Sequence, residues 1–302
     1  MVEPANNPAA SPPVPSRQLF DEDAYRFLHP DVAAAISAGI VDSGWQHFAL
    51  HGFAEGRQWV PQLNPLLGVS REIAPGDEMF FGNEDHYFDV GVSALHVIET
   101  ALFAARMDRS VIKTVLDLPC GFGRVTRFLK QAFPQARLTA CDLNREGVDF
   151  CAKAFGATPV MSDVEVGQIP PLGKYDLIWC GSLLTHLSEE KITAFIQLFQ
   201  RSLQPNGILV FTSHGRRSAA ELAEGKHQYG LNHQQIETLL ASYRQRGFAY
   251  VDYSGQADYG ISLIQPSFIL AHIVENSTWQ LLGYHETGWD KRQDVICLQK
   301  RA

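Results

Sequence analysis

Three aspartates and two glycines near the middle of this chain have the types and spacing to hold a nucleoside. Asp117, Gly121 and Gly123 lie in "VLDLPCGFGRV" (115–125), Asp142 closes "RLTACD", and Asp163 follows "ATPVMS". Glycines in a tight turn let a ligand approach the backbone. An acid about 20 residues beyond such a turn is placed to read a ribose diol. Two nucleotide sites share these features. A dinucleotide fingerprint requires a third glycine, and Thr126 stands in its place. A carboxylate at 117 would also repel a pyrophosphate but would sit well beside a cation, such as the sulfonium and ammonium of S-adenosylmethionine.

The run Asp117-x-Pro119-x-Gly121-x-Gly123 resembles the first motif of class I S-adenosylmethionine-dependent methyltransferases, usually Asp/Glu-x-Gly-x-Gly-x-Gly, in its "LDLPCGxGR" variant. Pro119 departs from the commoner pattern, because it fixes φ near about −65° and removes an N–H. The resemblance runs from about residue 79 to 300. It implies a cofactor site made of Asp117, Pro119, Cys120, Gly121 and Gly123. Asp142 would hold the ribose, with Leu143 over the adenine, and Asp163 with Val164 would read the adenine edge. Cys180, Gly181 and Ser182 would line the methyl-donor region, and Tyr87 of "YFDVG" would close the pocket.

Methyl transfer from a sulfonium is an in-line displacement in which the protein mainly orients the acceptor. A hydroxyl acceptor also needs a base, and histidine suits that task. His214 ("FTSHGRR") and His186 ("SLLTHLSEE") follow strand-like runs on the expected cofactor edge. Residues 215–265 interrupt the alternation there and are expected to form an acceptor lid. Tyr229, Tyr253 and Tyr259 are its aromatic candidates, and Tyr259 joins the two histidines as a catalytic candidate. The expected acceptor is a small molecule or a glycan.

The elements that must position these residues alternate. "TVLDL", "RLTACDL", "ATPVMS", "YDLIWCG" and "GILVFTSH" read as strands separated by helical patterns, which predicts an α/β, Rossmann-like, doubly wound and mostly parallel sheet. "TWQLLGYHE" and "DVICLQK" are joined too closely for a crossover, so one strand near the sheet's end must be antiparallel. Residues 79–302 form the expected methyltransferase domain. Before it come a Pro/Ala/Asn-rich leader (1–16), a helical module (17–62) and a linker (63–78). The module carries "HPDV", "SG", "HF" and "EGR" and resembles a short bacterial helical repeat of "NPDV…EGR" type, which implies docking to a protein partner.

The 302 residues carry a net charge of −8, which argues against nucleic acid as partner. Five scattered cysteines show no metal-ligand spacing and suit a reducing, cytoplasmic setting. No signal peptide and no run long enough to span a membrane is read. Two other readings stand beside a methyltransferase: an NAD(P)-dependent oxidoreductase, and a non-catalytic binding module that kept the fold.

Overall fold

The computed structural model describes residues 17, 20–57, 68–275 and 278–301. The expected leader and residues 63–67 of the expected linker lie outside them. The chain divides into two units, Met1–Leu67 and Gly68–Ala302.

The first unit holds the three expected helices, α1 (Glu22–Leu28), α2 (Pro30–Ser37) and α3 (Gly44–His47). Pro30 opens α2, and the Ser43 side chain accepts from Gln46 N to cap α3. Phe20, Tyr25, Val32 and Phe48 make a small core. A side chain at Gly52 would strike the Tyr25 hydroxyl, which explains that glycine. Arg57 pairs with both Asp31 and Glu55 at 2.7 Å, so the first and last acids of the repeat-like pattern share one guanidinium.

In the second unit the strands are β1 (Thr114–Asp117), β2 (Arg137–Asp142), β3 (Thr158–Met161), β4 (Tyr175–Cys180), β5 (Leu203–Ser213), β6 (Phe248–Asp252), β7 (Gly260–Ile264), β8 (Trp279–Trp289) and β9 (Gln293–Lys300). Seven form one sheet in the order β3-β2-β1-β4-β5-β9-β8. The pairs from β3 through β5 are parallel, and β9 runs antiparallel to both β5 and β8. The sheet is therefore mostly parallel with a reversed strand near its end, as the sequence predicts.

Side chains alternate across the sheet between two cores. Val115, Leu177 and Val210 face α4 (Glu84–Ala104), α5 (Thr126–Ala132) and α6 (Arg145–Phe155). Leu116, Ile178 and Phe211 face α7 (Glu189–Ser202). With 21 residues, α4 reaches membrane-spanning length and composition, which the sequence reading did not expect. Ten of its residues are buried in the domain, including Leu95, Ile98 and Leu102, so it is a core helix. Phe103, next to Leu102 on this helix, is 85% exposed.

Residues 68–78, read as linker, are anchored in this unit rather than ending before it. The buried Arg127 guanidinium donates to Ser70 O and Glu72 O at 2.9 and 2.8 Å. It also donates to the Tyr87 hydroxyl, which donates to Asp77. The interruption at 215–265 contains α8 (Arg216–Ala223), α9 (His233–Arg246) and an antiparallel β6–β7 hairpin around its own core of Leu222, Leu239, Ile261 and Leu263. Strand β7 was not foreseen; its residues "GISLI" are all buried.

Candidate active site

A cavity of about 650 Å³ opens beyond the carboxyl ends of β1, β2 and β4. Open parallel sheets bind ligands at this edge, and the volume suits a drug-sized ligand. Pro119, Cys120 and Gly121 form its floor. The Leu118–Pro119 peptide bond is cis. Gly121 has φ +51, and a Cβ there would meet no protein atom within 4 Å, so its open side is ligand space.

Asp142 organises the rim. Its Oδ2 accepts from Gly121 N at 2.7 Å and its Oδ1 from Asn144 N at 2.9 Å. A carboxylate has about four lone-pair sites, so each oxygen keeps capacity for a ligand hydroxyl. Asn144 caps α6, whose first turn approaches the loop so closely that a Cβ at Gly147 would meet Gly121 O. Asp163 also lines the cavity, with Oδ1 accepting from Glu165 N. Leu143 and Val164 lie at the mouth, 55% and 62% exposed, available to cover a flat ring. Gly181 and Ser182 line the β4 side. The Ser182 hydroxyl accepts from Gln293 Nε2, and a Cβ at Gly181 would crowd the Trp179 ring.

Five expected site residues do not line the cavity. Asp117 is buried beneath the loop, where its Oδ2 accepts from Thr126 Oγ1 at 2.6 Å and its Oδ1 has no partner. Desolvation raises its pKa to about 7, against a smaller lowering by Thr126. Gly123 serves packing, since a Cβ there would meet Phe155 at 2.4 Å. Tyr87 is 1% exposed and its hydroxyl is committed to Asp77 and Arg127. Cys180 is sealed in the core on the α7 side of the sheet. His214 is 2% exposed because β7 covers the end of β5, with Ile264 N donating to His214 O. Burial pulls the His214 pKa down to about 3.

His186 and Tyr259 do reach the cavity. His186 Nδ1 lies 2.9 Å from Gly260 O and 3.1 Å from the Tyr253 hydroxyl. A carbonyl only accepts, so Nδ1 carries the proton and Nε2 carries the lone pair. Nε2 is not among the sealed orphan atoms, so the lone pair is accessible. Burial lowers the pKa, partly countered by Gly260, so the ring is neutral at pH 7. The Tyr259 ring stacks on it, with centroids 5.1 Å apart and planes 25° apart. Tyr229 packs on the buried His214 instead.

The sequence reading missed Arg124, Trp179 and Trp289, which also line the cavity, and Glu78 with Met79 from the 68–80 segment. Arg124 was visible as the basic residue directly after the second glycine. Trp289 had no local signal, because its place depends on β8 returning beside β9. Lys191 of α7 faces Asp258 of the β6–β7 loop at 3.7 Å across the cavity wall.

Residues 115–207 match the family model described as "Methyltransferase domain". That stretch carries β1 through the first part of β5 and most of the cavity floor. Over that stretch the chain is similar to a methyltransferase domain. Among curated relatives, malonyl-[acyl-carrier protein] O-methyltransferase of Halalkalibacterium halodurans is 29% identical over 157 residues, covering 48% of this chain and 57% of that protein. Ribosomal RNA small subunit methyltransferase C of Pasteurella multocida is 30% identical, covering 45% and 39%. N-terminal Xaa-Pro-Lys N-methyltransferase 2 of Danio rerio is 33% identical, covering 36% and 41%. The chain thus spans about half the length of these relatives or less. Their names share methyl transfer and differ in acceptor. A solved S-adenosylmethionine-dependent methyltransferase from Clostridium acetobutylicum aligns at 14% identity and TM-score 0.47, over 72% of this chain and 92% of that one, a likeness too loose to carry function.

Proposed function

We propose that this chain is an S-adenosylmethionine-dependent methyltransferase that methylates an oxygen, a hydroxyl of a small molecule or glycan. When bound, the cofactor supplies a methyl group on a positively charged sulfur. Asp142 accepts the ribose hydroxyls, Gly121 admits the ligand against the backbone, and Leu143 and Val164 cover the adenine with Asp163 at its edge. Gly181 and Ser182 flank the reacting end. His186 takes the acceptor's proton on Nε2. The Gly260 carbonyl holds its ring in the required tautomer, and Tyr259 offers an aromatic face to a sugar or flat metabolite while limiting water.

The observation that carries the oxygen acceptor is the His186 arrangement: a neutral imidazole on the cavity wall with its acceptor nitrogen free. The net charge of −8 favours a small acceptor over nucleic acid. Five free, buried cysteines suit a reducing compartment. The N-terminal helices, which expose Ile40 and Leu50, are proposed to dock a protein partner.

The oxidoreductase reading loses one objection, because Asp117 does not face the ligand. It keeps two others: Thr126 is packed under the loop in place of a third glycine, and the final strand is reversed. Calorimetric titration with S-adenosylhomocysteine and, separately, with NAD(H) decides among these readings. Micromolar binding of the first alone is expected. Binding of NAD(H) alone overturns the proposal, and binding of neither favours a non-catalytic module.

A further inference from the structure

Ser182 is held in an uncommon backbone conformation on the cavity wall. It lies in the loop between β4 and α7, four residues before His186. Its φ is +59, a region that residues with a Cβ rarely enter and keep only where their surroundings fix it. A ring of hydrogen bonds fixes it here. Ser182 N donates to Thr212 Oγ1 at 2.8 Å, Thr212 Oγ1 donates to Gln293 Oε1 at 2.6 Å, and Gln293 Nε2 donates back to Ser182 Oγ at 3.0 Å. The ring closes because β9 is reversed. Thr212 pairs with Val295, so Gln293, two residues earlier, stands on the same face at the ligand edge.

The ring has a direction. Thr212 is fully buried, and among the described residues its hydroxyl hydrogen has Gln293 Oε1 as acceptor. A flipped amide would strand that hydrogen, so Nε2 faces Ser182. Ser182 Oγ therefore accepts within the ring, and its own hydrogen is left over. Its remaining protein contact, Thr185 Oγ1, lies at 3.5 Å, well beyond the usual O–H···O length of about 2.7–2.8 Å. Ser182 is half-buried on the cavity wall, so this hydrogen is available to a ligand.

An oxygen acceptor can use it. A hydroxyl has two lone pairs and one hydrogen. One lone pair forms the bond to the methyl carbon as the carbon–sulfur pair leaves with sulfur. The hydrogen goes to His186 Nε2, and the second lone pair is free to accept from Ser182. A neutral amine has a single lone pair, which bond formation consumes. A donor placed here thus favours oxygen over nitrogen, because an amine leaves it unpaired. We infer that the Ser182 hydroxyl donates to the reacting oxygen of the acceptor and that Gln293 positions it, so that the pair selects oxygen acceptors. The inference rests on the function proposed above and deepens it.

Phenol and aniline are probes of similar shape that differ in this respect, because aniline has one lone pair on nitrogen and shares it with the ring. Wild type, Ser182→Ala and Gln293→Glu, each saturated with S-adenosylhomocysteine, are titrated with both probes by NMR. The titrations run at about pH 8, above the ordinary carboxyl range, and melting checks that each variant is folded. A carboxylate only accepts. Gln293→Glu therefore keeps the shape of the ring but draws the Ser182 hydrogen into it, and the cavity meets an acceptor instead of a donor. Wild type is expected to bind phenol about 3- to 10-fold more tightly than aniline, the range for one neutral hydrogen bond. Ser182→Ala should abolish this preference, and Gln293→Glu should abolish or reverse it. Equal binding of the two probes by wild type, no binding of phenol, or a preference that survives in Ser182→Ala would overturn the inference. A preference lost in Ser182→Ala but intact in Gln293→Glu would remove Gln293 as the positioning residue. If wild type does not bind S-adenosylhomocysteine, the cofactor reading fails by itself, and the same titrations of the free protein still decide the role of the hydroxyl.

Discussion

Asp117→Asn separates what the sequence suggests from what the fold does. The sequence places this acid beside a cationic ligand, whereas the structure buries it against Thr126 with one oxygen unpartnered. Burial raises its pKa from 3.8 to about 7. An acid whose folded pKa is raised contributes stability that is fully present below about pH 3.8 and is lost as pH rises toward 7. The amide keeps an oxygen for Thr126 and cannot ionise, so it escapes that loss. Each pH unit is worth about 1.4 kcal/mol. Between pH 5 and pH 8 the variant should therefore gain on wild type by on the order of 3 kcal/mol, almost all of it below pH 7. Denaturant unfolding at both pH values measures this gap. In parallel, the ratio of S-adenosylmethionine to S-adenosylhomocysteine affinity should be unchanged, because the two ligands differ by the sulfonium charge that Asp117 does not face. A gap that stays constant with pH would refute the burial argument. A selective tenfold loss of S-adenosylmethionine would restore the cation-facing reading.

Asp142→Ala should weaken S-adenosylhomocysteine by about 1–3 kcal/mol in calorimetry, the cost of a hydrogen bond to a charged group; unaltered affinity would remove it from the ribose site. His186→Gln should lower turnover on a hydroxyl acceptor by about 10²–10⁴-fold while sparing cofactor affinity, read by S-adenosylhomocysteine release. Because burial lowers the His186 pKa, the base stays neutral to a lower pH than an ordinary histidine. The acid limb of the rate profile should accordingly fall below about pH 6.5, and a limb above it would disqualify this residue. Gly123→Ala and Gly121→Ala should separate packing from binding. The first drives a methyl into Phe155 at φ +78 and should cost about 2–4 kcal/mol of stability. The second has open space within 4 Å and carries only the strain of a side chain at φ +51, about 1–2 kcal/mol, so it should cost less stability and chiefly reduce cofactor affinity, as melting and titration of both variants would reveal.

The layer order was legible because each strand is a short apolar run between helical patterns, and the reversed β9 was legible because its connection to β8 is too short to cross over. Side-chain destinations were less so. Asp117 and Asp142 give the same local signal, an acid ending a strand, and both point toward the α4–α6 side of the sheet. Their register separates them: Asp117 pairs with Ala140, so Asp142 stands two residues farther along. At about 3.3 Å per residue that is roughly 7 Å, enough to clear the loop that covers Asp117 and reach the rim. No pattern within either strand encodes this offset.

The two histidines differ for a similar reason. Both follow strands on the ligand edge, and the sequence offers both as candidate bases. The structure lays β7 across it, with Ile264 N on His214 O, while the same hairpin presents Gly260 O to His186 Nδ1. One short segment, "GISLI", therefore buries one candidate base and fixes the tautomer of the other. The run was too brief to distinguish from the end of a loop, so the hairpin was missed, and with it the difference in access to the cavity between the two histidines. Access follows from the packing of the hairpin: with β7 over the end of β5, His214 is 2% exposed, whereas His186 lines the cavity.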